Sequence, residues 1–205
     1  MLIAERLLLI ACDPVTGDAL WPREQPSPDL IVAGAIAAEL VAQGRLPLHD
    51  GLFHTDTLIP TGHPLLKEAL HDLRAEKFDA GELLRVIANR MEPLVKRLLD
   101  GLFRRDILHR AVERDWLFRK KVRYPVRSMQ SRNEALEALG TAAHGNDLSG
   151  LALLFLADVS GLLALSMRSQ DYERAKQRLL TLNNVTSHSD QQQRGLANIR
   201  SALLR

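Results

Sequence analysis

The side chains most able to do chemistry in this chain are clustered cations. Residues 96–132 contain twelve Lys or Arg and only four Asp or Glu, whereas the 205-residue chain has a formal net charge of +2. A predicted hairpin in this segment also carries Trp116, Leu117 and Phe118. Cations attract phosphate-bearing surfaces, and aromatic groups can enter the interfacial layer of a bilayer. The pattern therefore indicates an anionic membrane or a nucleic acid as partner, with a solvated basic face as the alternative.

Sequence signatures of catalysis and of metal binding are weak. PTGHPLLKEAL, Pro60 to Leu70, has one glycine followed by His63 and Pro64, whereas phosphate loops use several N–H groups and usually a lysine. Pro64 instead favours ordinary helix initiation. No nucleophile elbow is present, and the histidines lack metal-ligand spacing on one helix. We therefore expect no enzyme activity, no metal and no cofactor. The single cysteine, Cys12, excludes an internal disulfide and is typical of a reducing compartment.

Two apolar segments could be mistaken for membrane signals. MLIAERLLLIAC ends like a lipoprotein cleavage box, but the apolar run Leu7 to Ala11 is too short for a signal peptide and predicts a first helix. Residues 148–167 are long enough to span a bilayer. Asp158 lies at their middle, where a carboxylate would cost about 2.5 to 3.5 kcal/mol. A buried central helix, with Gly150 and Gly161 allowing close approach of neighbours, fits this segment better.

The elements that must position the basic segment are mostly helices. Apolar content of 46% with only 4% aromatics predicts a mainly helical single domain over residues 1–205, built around the buried central helix. Besides the first and central helices, caps and spacing predict helices over Pro28 to Gln43, from Pro64, from Asp79 to about Arg90, from Pro93 to Arg105, from Ser131 to about Ala143, from about Asp171 to Leu182, and from Asp190 to Leu204.

Two short β-hairpins complete the prediction. Asp50-Gly51 lies between short apolar runs and predicts a primed turn. The second hairpin covers Ile107 to Val126, where two β-prone runs flank the polar residues Glu113 to Asp115. A helix followed by a basic hairpin is also the order found in winged-helix proteins, which keeps nucleic-acid binding open.

Six motifs follow one another along nearly the whole chain. They are the opening leucine helix with its DPVTG turn, AELVAQGRL at 38–46, PTGHPLLKEAL at 60–70, LLDGLFRRDIL at 98–108, the hairpin closing at Arg123-Tyr124-Pro125, and LALLFLADVSGLL at 151–163. This order resembles the Golgi phosphoprotein 3 family, with the second and third motifs as its most specific signals. The resemblance implies a helical domain with a basic membrane-facing surface and a protruding hairpin. It also implies binding of phosphatidylinositol 4-phosphate and retention of glycosyltransferases through their cytosolic tails.

The same resemblance predicts where a lipid site would lie. It places the family's tryptophan at Glu24, its helix arginine at Ala33 and its two further basic residues at Glu92 and Val95, so none of the four is matched in register. The predicted lipid-binding residues are instead nearby or hairpin residues: Trp21, Arg23, Lys96, Arg97, Arg119, Lys120, Lys121 and Arg123. Trp116, Leu117 and Phe118 are predicted to form a hairpin tip that enters the membrane or mediates packing or self-association.

We therefore expect a non-enzymatic peripheral membrane protein that binds anionic lipid, with a phosphoinositide-like headgroup, through a basic surface and hairpin. An adaptor role with protein tails as cargo, and a homo-oligomer formed through the hairpin, are further expectations. The chain begins directly at the domain, which favours a bacterial member that is cytoplasmic and peripheral on the cytosolic face of a membrane. The alternative is a winged-helix-like or sequence-indifferent nucleic-acid-binding protein.

Overall fold

Helices dominate the computed structural model, which describes residues 1–22, 26–55, 61–114, 120–186 and 190–205. This confirms the predicted mainly α fold. The helices are α1 Ile3–Ala11, α2 Pro28–Ala42, α3 Pro64–Asp72, α4 Ala80–Arg90, α5 Leu94–Arg104, α6 Met129–Ala142, α7 Leu148–Val159, α8 Leu162–Ser166, α9 Ser169–Asn183 and α10 Gln191–Leu203. The strands are β1 Leu48–His49, β2 Leu52–His54, β3 Lys77–Phe78, β4 Ala111–Arg114 and β5 Lys120–Arg123.

The core is built around α2 and α7, which are apolar on nearly all sides and buried along most of their length. α2 packs against α4, α7 and α10, and α7 also packs against α6. Gly34 permits the approach of α10, because a Cβ at this position would lie 2.9 Å from Leu203 Cδ1. A helix that contacts neighbours on every side must be apolar all round, which is the pattern seen in both sequences.

The predicted central helix over residues 148–167 is buried but is not continuous. α7 ends at Val159 and α8 begins at Leu162, with Gly161 between them at φ +81°. Ser160 Oγ donates to the Leu156 carbonyl oxygen at 2.7 Å, which occupies one of the terminal carbonyl groups of α7. The left-handed glycine ends the helix. No described helix is long and apolar enough to cross a membrane.

Side-chain caps fix most helix starts where the sequence placed them. Ser27, Asp79 and Asp147 accept hydrogen bonds from backbone N–H groups of the first turns of α2, α4 and α7, respectively. Pro64 occupies the first turn of α3, so the helix starts at this proline as predicted. The predicted start of α6 at Ser131 is wrong. Ser128 is the cap and accepts from the Ser131 N–H group, so the helix begins at Met129.

Two antiparallel sheets carry the strands. Asp50 and Gly51 have φ values of +51° and +80°, which confirms the primed turn between β1 and β2. β3 adds a third strand that the sequence did not predict, because two residues are too few to show a pattern. In the second hairpin Glu113 and Arg114, two of the polar residues expected between the β-prone runs, lie within β4. The connection between β4 and β5 lies outside the described residues.

Candidate functional site

The second hairpin is fixed to the body of the protein by the DPVTG turn. The Tyr124 N–H group donates to the Gly17 carbonyl oxygen at 3.1 Å, and the Val126 N–H group donates to that of Pro14 at 3.2 Å. Gly17 has φ +70°, and a Cβ there would stand 2.2 Å from the Pro125 nitrogen. Glycine is therefore required both by the backbone conformation and by the close contact. β4 and β5 otherwise pack mainly on each other.

Asp18, just after this turn, holds two cations of β5. Its Oδ1 atom lies 2.8 Å from Lys121 Nζ and 3.3 Å from Arg123 Nε. The hydrogen bond from Lys121, assisted by the charge of Arg123, lowers the pKa of the Asp18 carboxyl against a smaller desolvation effect. Asp18 is thus ionised at neutral pH and balances one of the two cations. Lys121 is 56% exposed.

A second ionic group connects α5 to the base of the hairpin. Asp100 accepts from Lys96 Nζ at 2.8 Å and from the Tyr124 hydroxyl at 2.8 Å. The hydrogen bond from Lys96 is the main reason that the pKa of Asp100 is lowered. Burial and the bond to Asp100 raise the pKa of Tyr124 to about 12. Tyr124 therefore stays protonated and donates to Asp100 across the physiological range.

Arg97 lies in a different environment from its neighbour Lys96. Its Nη1 and Nη2 atoms donate to the two carboxylate oxygens of Glu68 at 2.8 and 2.5 Å, and Nη1 also donates to the Met91 carbonyl oxygen at 3.3 Å. The hydrogen bond from Arg97 lowers the pKa of Glu68. This two-point contact ties α5 to α3 and occupies the flat guanidinium fork.

A family model described as Golgi phosphoprotein 3 (GPP34) matches residues 3–203. The chain belongs to the Golgi phosphoprotein 3 family. The match runs from the first residue of α1 to the last residue of α10, and it confirms the resemblance found in the motifs. No curated protein matches the chain significantly. The Golgi phosphoprotein 3 family is not known as an enzyme family.

Of the four positions that the resemblance matches to the lipid site of the Golgi members, three lie among the described residues. Ala33 is fully buried in α2, and Glu92 is exposed. At the start of α5 the Val95 N–H group donates to Asp29 Oδ1 at 3.2 Å. Helix N-termini attract anions, and here the protein supplies its own carboxylate. Glu24 lies outside the described residues.

The predicted lipid-binding residues do not converge on one point. Lys121 and Arg123 meet at Asp18, whereas Lys96 and Arg97 contact two different carboxylates. Trp21 is half-buried against the core. Lys120 lies in β5, where the strand register pairs it with Arg114. Outside the described residues lie Arg23, Arg119, Trp116, Leu117 and Phe118.

The carboxylates that neutralise part of this basic segment lie far from it in the sequence. Three carboxylates from outside residues 96–132, at Glu5, Asp18 and Glu68, each pair with a cation of that segment. These three pairs, all among the described residues, offset three of the eight excess positive charges. In the described part of the chain, Arg104 and Arg110 are exposed and form no ion pair. No local pattern marks these pairs, because the partners are distant in sequence.

Proposed function

We propose that this protein is a peripheral membrane protein that docks on anionic lipid through its hairpin side, defined as β4, β5 and the segment that joins them. The observation that carries the proposal is the fixed base of the hairpin, where Lys121 and Arg123 both contact Asp18 and Lys121 is still 56% exposed. Val112 is 53% exposed on the same hairpin. A cationic excess beside an exposed apolar side chain is the combination that an interfacial layer accepts.

The positive charges would attract the protein to the membrane surface, and the segment that joins β4 and β5 would insert into the bilayer interface. Each basic side chain near an anionic leaflet contributes about 1 kcal/mol, so Arg119, Lys120 and Lys121 give useful affinity only when they act together. Trp116, Leu117 and Phe118 belong to the segment that joins β4 to β5 and are the proposed inserting group.

The proposal concerns anionic lipid as a class, with phosphoinositides as its most highly charged members. The Asp29 carboxylate at the start of α5 argues against a phosphate bound at that helix end, because two anions there would repel each other. Family membership supports two further parts of the proposal: a location on the cytosolic face of a membrane, and an adaptor role in which protein tails are the cargo.

Vesicle sedimentation tests the proposal. The protein is mixed with phosphatidylcholine vesicles that contain no further lipid, phosphatidylserine or phosphatidylinositol 4-phosphate, at low and at high salt. We expect binding only with acidic lipid, weakened by salt, and lost when Arg119, Lys120, Lys121 and Arg123 are replaced by Ala. A matched variant replaces four exposed cations on other elements, Lys67, Arg74, Arg85 and Arg174, and should bind like the wild type. Equal losses in both variants would contradict the proposed surface.

Two parallel measurements separate the alternatives. Tight binding to random duplex DNA, without vesicle binding, would replace the proposal by the nucleic-acid function. Analytical ultracentrifugation of a variant with Ser at Trp116, Leu117 and Phe118 tests the role of the hairpin connection. A change in oligomeric state with unchanged vesicle binding would assign these residues to self-association and leave the cations as the membrane contact.

A further inference from the structure

A cavity of about 710 Å³ lies between α1, α3 and α5, and will be called the α3–α5 cavity. This volume is within the range of small-molecule sites. Its charged wall includes Arg97, Arg104 and Arg105 of the α5 segment together with Glu5 of α1, and Leu65 and Leu98 give it an apolar floor. Arg104 follows Val95 by nine residues, which is half a turn around the helix axis. The cavity is therefore on the other side of α5 from the position matched to the lipid site of the Golgi members.

Gly101 is the reason that the cavity is open on the α5 side. Leu98, Gly101 and Arg105 are spaced by three and four residues and so share one helix face. A Cβ at Gly101 would have no heavy atom within 4 Å. Glycine within a helix is less favourable than alanine by about 1 kcal/mol, and no contact at this position requires it. The empty position instead leaves space in the cavity that Gly101 lines.

The carboxylates of the cavity wall already have protein partners. Glu5 has a side chain that is only 4% exposed, accepts from Arg105 Nη2 at 2.5 Å and also accepts from the Leu2 N–H group at 3.0 Å. Glu68 is paired with Arg97, and Asp100 with Lys96, as described above. The acidic groups of the wall are therefore balanced before any ligand enters.

The cations of the wall are not balanced in the same way. Arg104 is exposed and forms no ion pair or side-chain hydrogen bond within the described residues. Arg105 contacts Glu5 through Nη2 and is still 44% exposed. A guanidinium has five N–H groups, so Arg105 can bind a further acceptor while it holds Glu5. The two arginines are consecutive in the chain and line the same cavity.

We propose that the α3–α5 cavity binds a small organic oxyanion, with its phosphate or carboxylate on Arg104 and Arg105 and its apolar body over Leu65 and Leu98. An arginine fork matches the geometry of both anions. The apolar floor adds affinity that inorganic phosphate alone would not gain. This site is separate from the hairpin side, and it does not depend on membrane docking.

Titration calorimetry with butyl phosphate tests the site, with inorganic phosphate and butanol as probes of the charged and the apolar parts alone. We expect saturable binding of butyl phosphate that is at least tenfold tighter than binding of either probe. Replacing Arg104 by Ala should weaken binding about tenfold or more, because it removes a charge-assisted hydrogen bond. Arg174→Ala removes an equally exposed charge on α9 and should have no effect.

Two substitutions of Gly101 test whether the ligand occupies the α3–α5 cavity. Gly101→Leu should fill the cavity and abolish binding of butyl phosphate, whereas Gly101→Ala should retain it. Thermal unfolding of both variants verifies that each is folded. Butyrate is the carboxylate counterpart of butyl phosphate in this assay. Absence of saturable binding to both compounds would overturn the proposal, as would equal affinity of wild type, Arg104→Ala and Gly101→Leu for butyl phosphate.

Vesicles that contain phosphatidic acid distinguish a lipid phosphate from a soluble one. If the natural ligand is a lipid headgroup, Arg104→Ala will also reduce sedimentation with these vesicles. If it is soluble, Arg104→Ala will lose butyl phosphate binding and sediment like the wild type. Both results support an anion site in the cavity, and they show whether its ligand is a lipid headgroup or a soluble molecule. Failure of all vesicle binding would refute membrane docking while leaving the calorimetric result intact.

Discussion

Asp18 is expected to limit the attraction of the hairpin side to anionic membranes. Its carboxylate contacts both Lys121 and Arg123, and the pKa of this carboxyl is lowered, so the negative charge is present at neutral pH. Replacing Asp18 by Asn keeps the size of the side chain and removes its charge. The net positive charge of the hairpin side would then rise by one unit.

The magnitude follows from the change of one unit of charge. A basic side chain near an anionic surface contributes about 1 kcal/mol, which corresponds to about fivefold in a binding constant. We therefore expect Asp18→Asn to bind vesicles of phosphatidylcholine and phosphatidylserine about fivefold more tightly at low salt. The difference should disappear at high salt, where the screening length falls to about 3 Å at 1 M.

Vesicle titration with sedimentation or fluorescence detection measures the effect. Glu173→Gln is the matched control, since it removes one carboxylate from an exposed position on α9, away from the hairpin. An unchanged or lower affinity of Asp18→Asn would refute the reasoning. An equal gain in both variants would also refute it, because net charge and not the hairpin side would then govern binding.

Three further predictions concern stability and are checked by urea unfolding. Gly17→Ala should cost more than about 3 kcal/mol, because it combines a left-handed backbone with a clash on Pro125, whereas Gly51→Ala, at a similar φ with open space, should cost about 1 to 2 kcal/mol. Glu68→Gln should destabilise by about 0.5 to 1 kcal/mol at neutral pH. In the folded protein the pKa of Glu68 is lowered from its ordinary value of 4.5. The stability difference between wild type and variant should therefore shrink as the pH falls from 4.5 through the lower pKa of the folded state, because the wild-type side chain then also becomes uncharged. Asp158→Ala should cost about 2 to 4 kcal/mol, since it removes a 12%-exposed carboxylate that pairs with cations of α9 and α10. Equal effects at Gly17 and Gly51, a pH-independent effect at Glu68, or a neutral Asp158→Ala would contradict these contacts.

The helices could be predicted because their signals are local. Ser27, Asp79 and Asp147 each accept a hydrogen bond from the N–H group three residues ahead, and apolar spacing then marks the buried faces. The errors in the helix predictions also had local causes. Only Ser131 was predicted as the cap of α6, whereas the actual cap, Ser128, lies three residues earlier. The break at Gly161 was obscured by leucines on both sides.

The sequence predicted how many charges the basic segment carries, but not which carboxylates pair with them. Residues 96–132 do carry the cationic excess, but their partners come from other parts of the chain, as when Arg105 reaches Glu5 across 100 residues. Lys96 and Arg97 are adjacent in sequence and yet pair with different elements, because successive helical residues point about 100° apart. Such pairings depend on how α1, α3 and α5 pack, and no local pattern specifies that packing.

Fluorescence of Trp116 on bromine-labelled lipid tests the central claim most directly. The protein has two tryptophans, so Trp21→Phe leaves Trp116 as the only reporter. We predict that brominated acyl chains quench Trp116 when the vesicles contain phosphatidylserine at low salt, and that high salt or Ala at Lys121 and Arg123 removes the quenching. Sedimentation of the protein with these vesicles while Trp116 stays unquenched would contradict docking through the hairpin side.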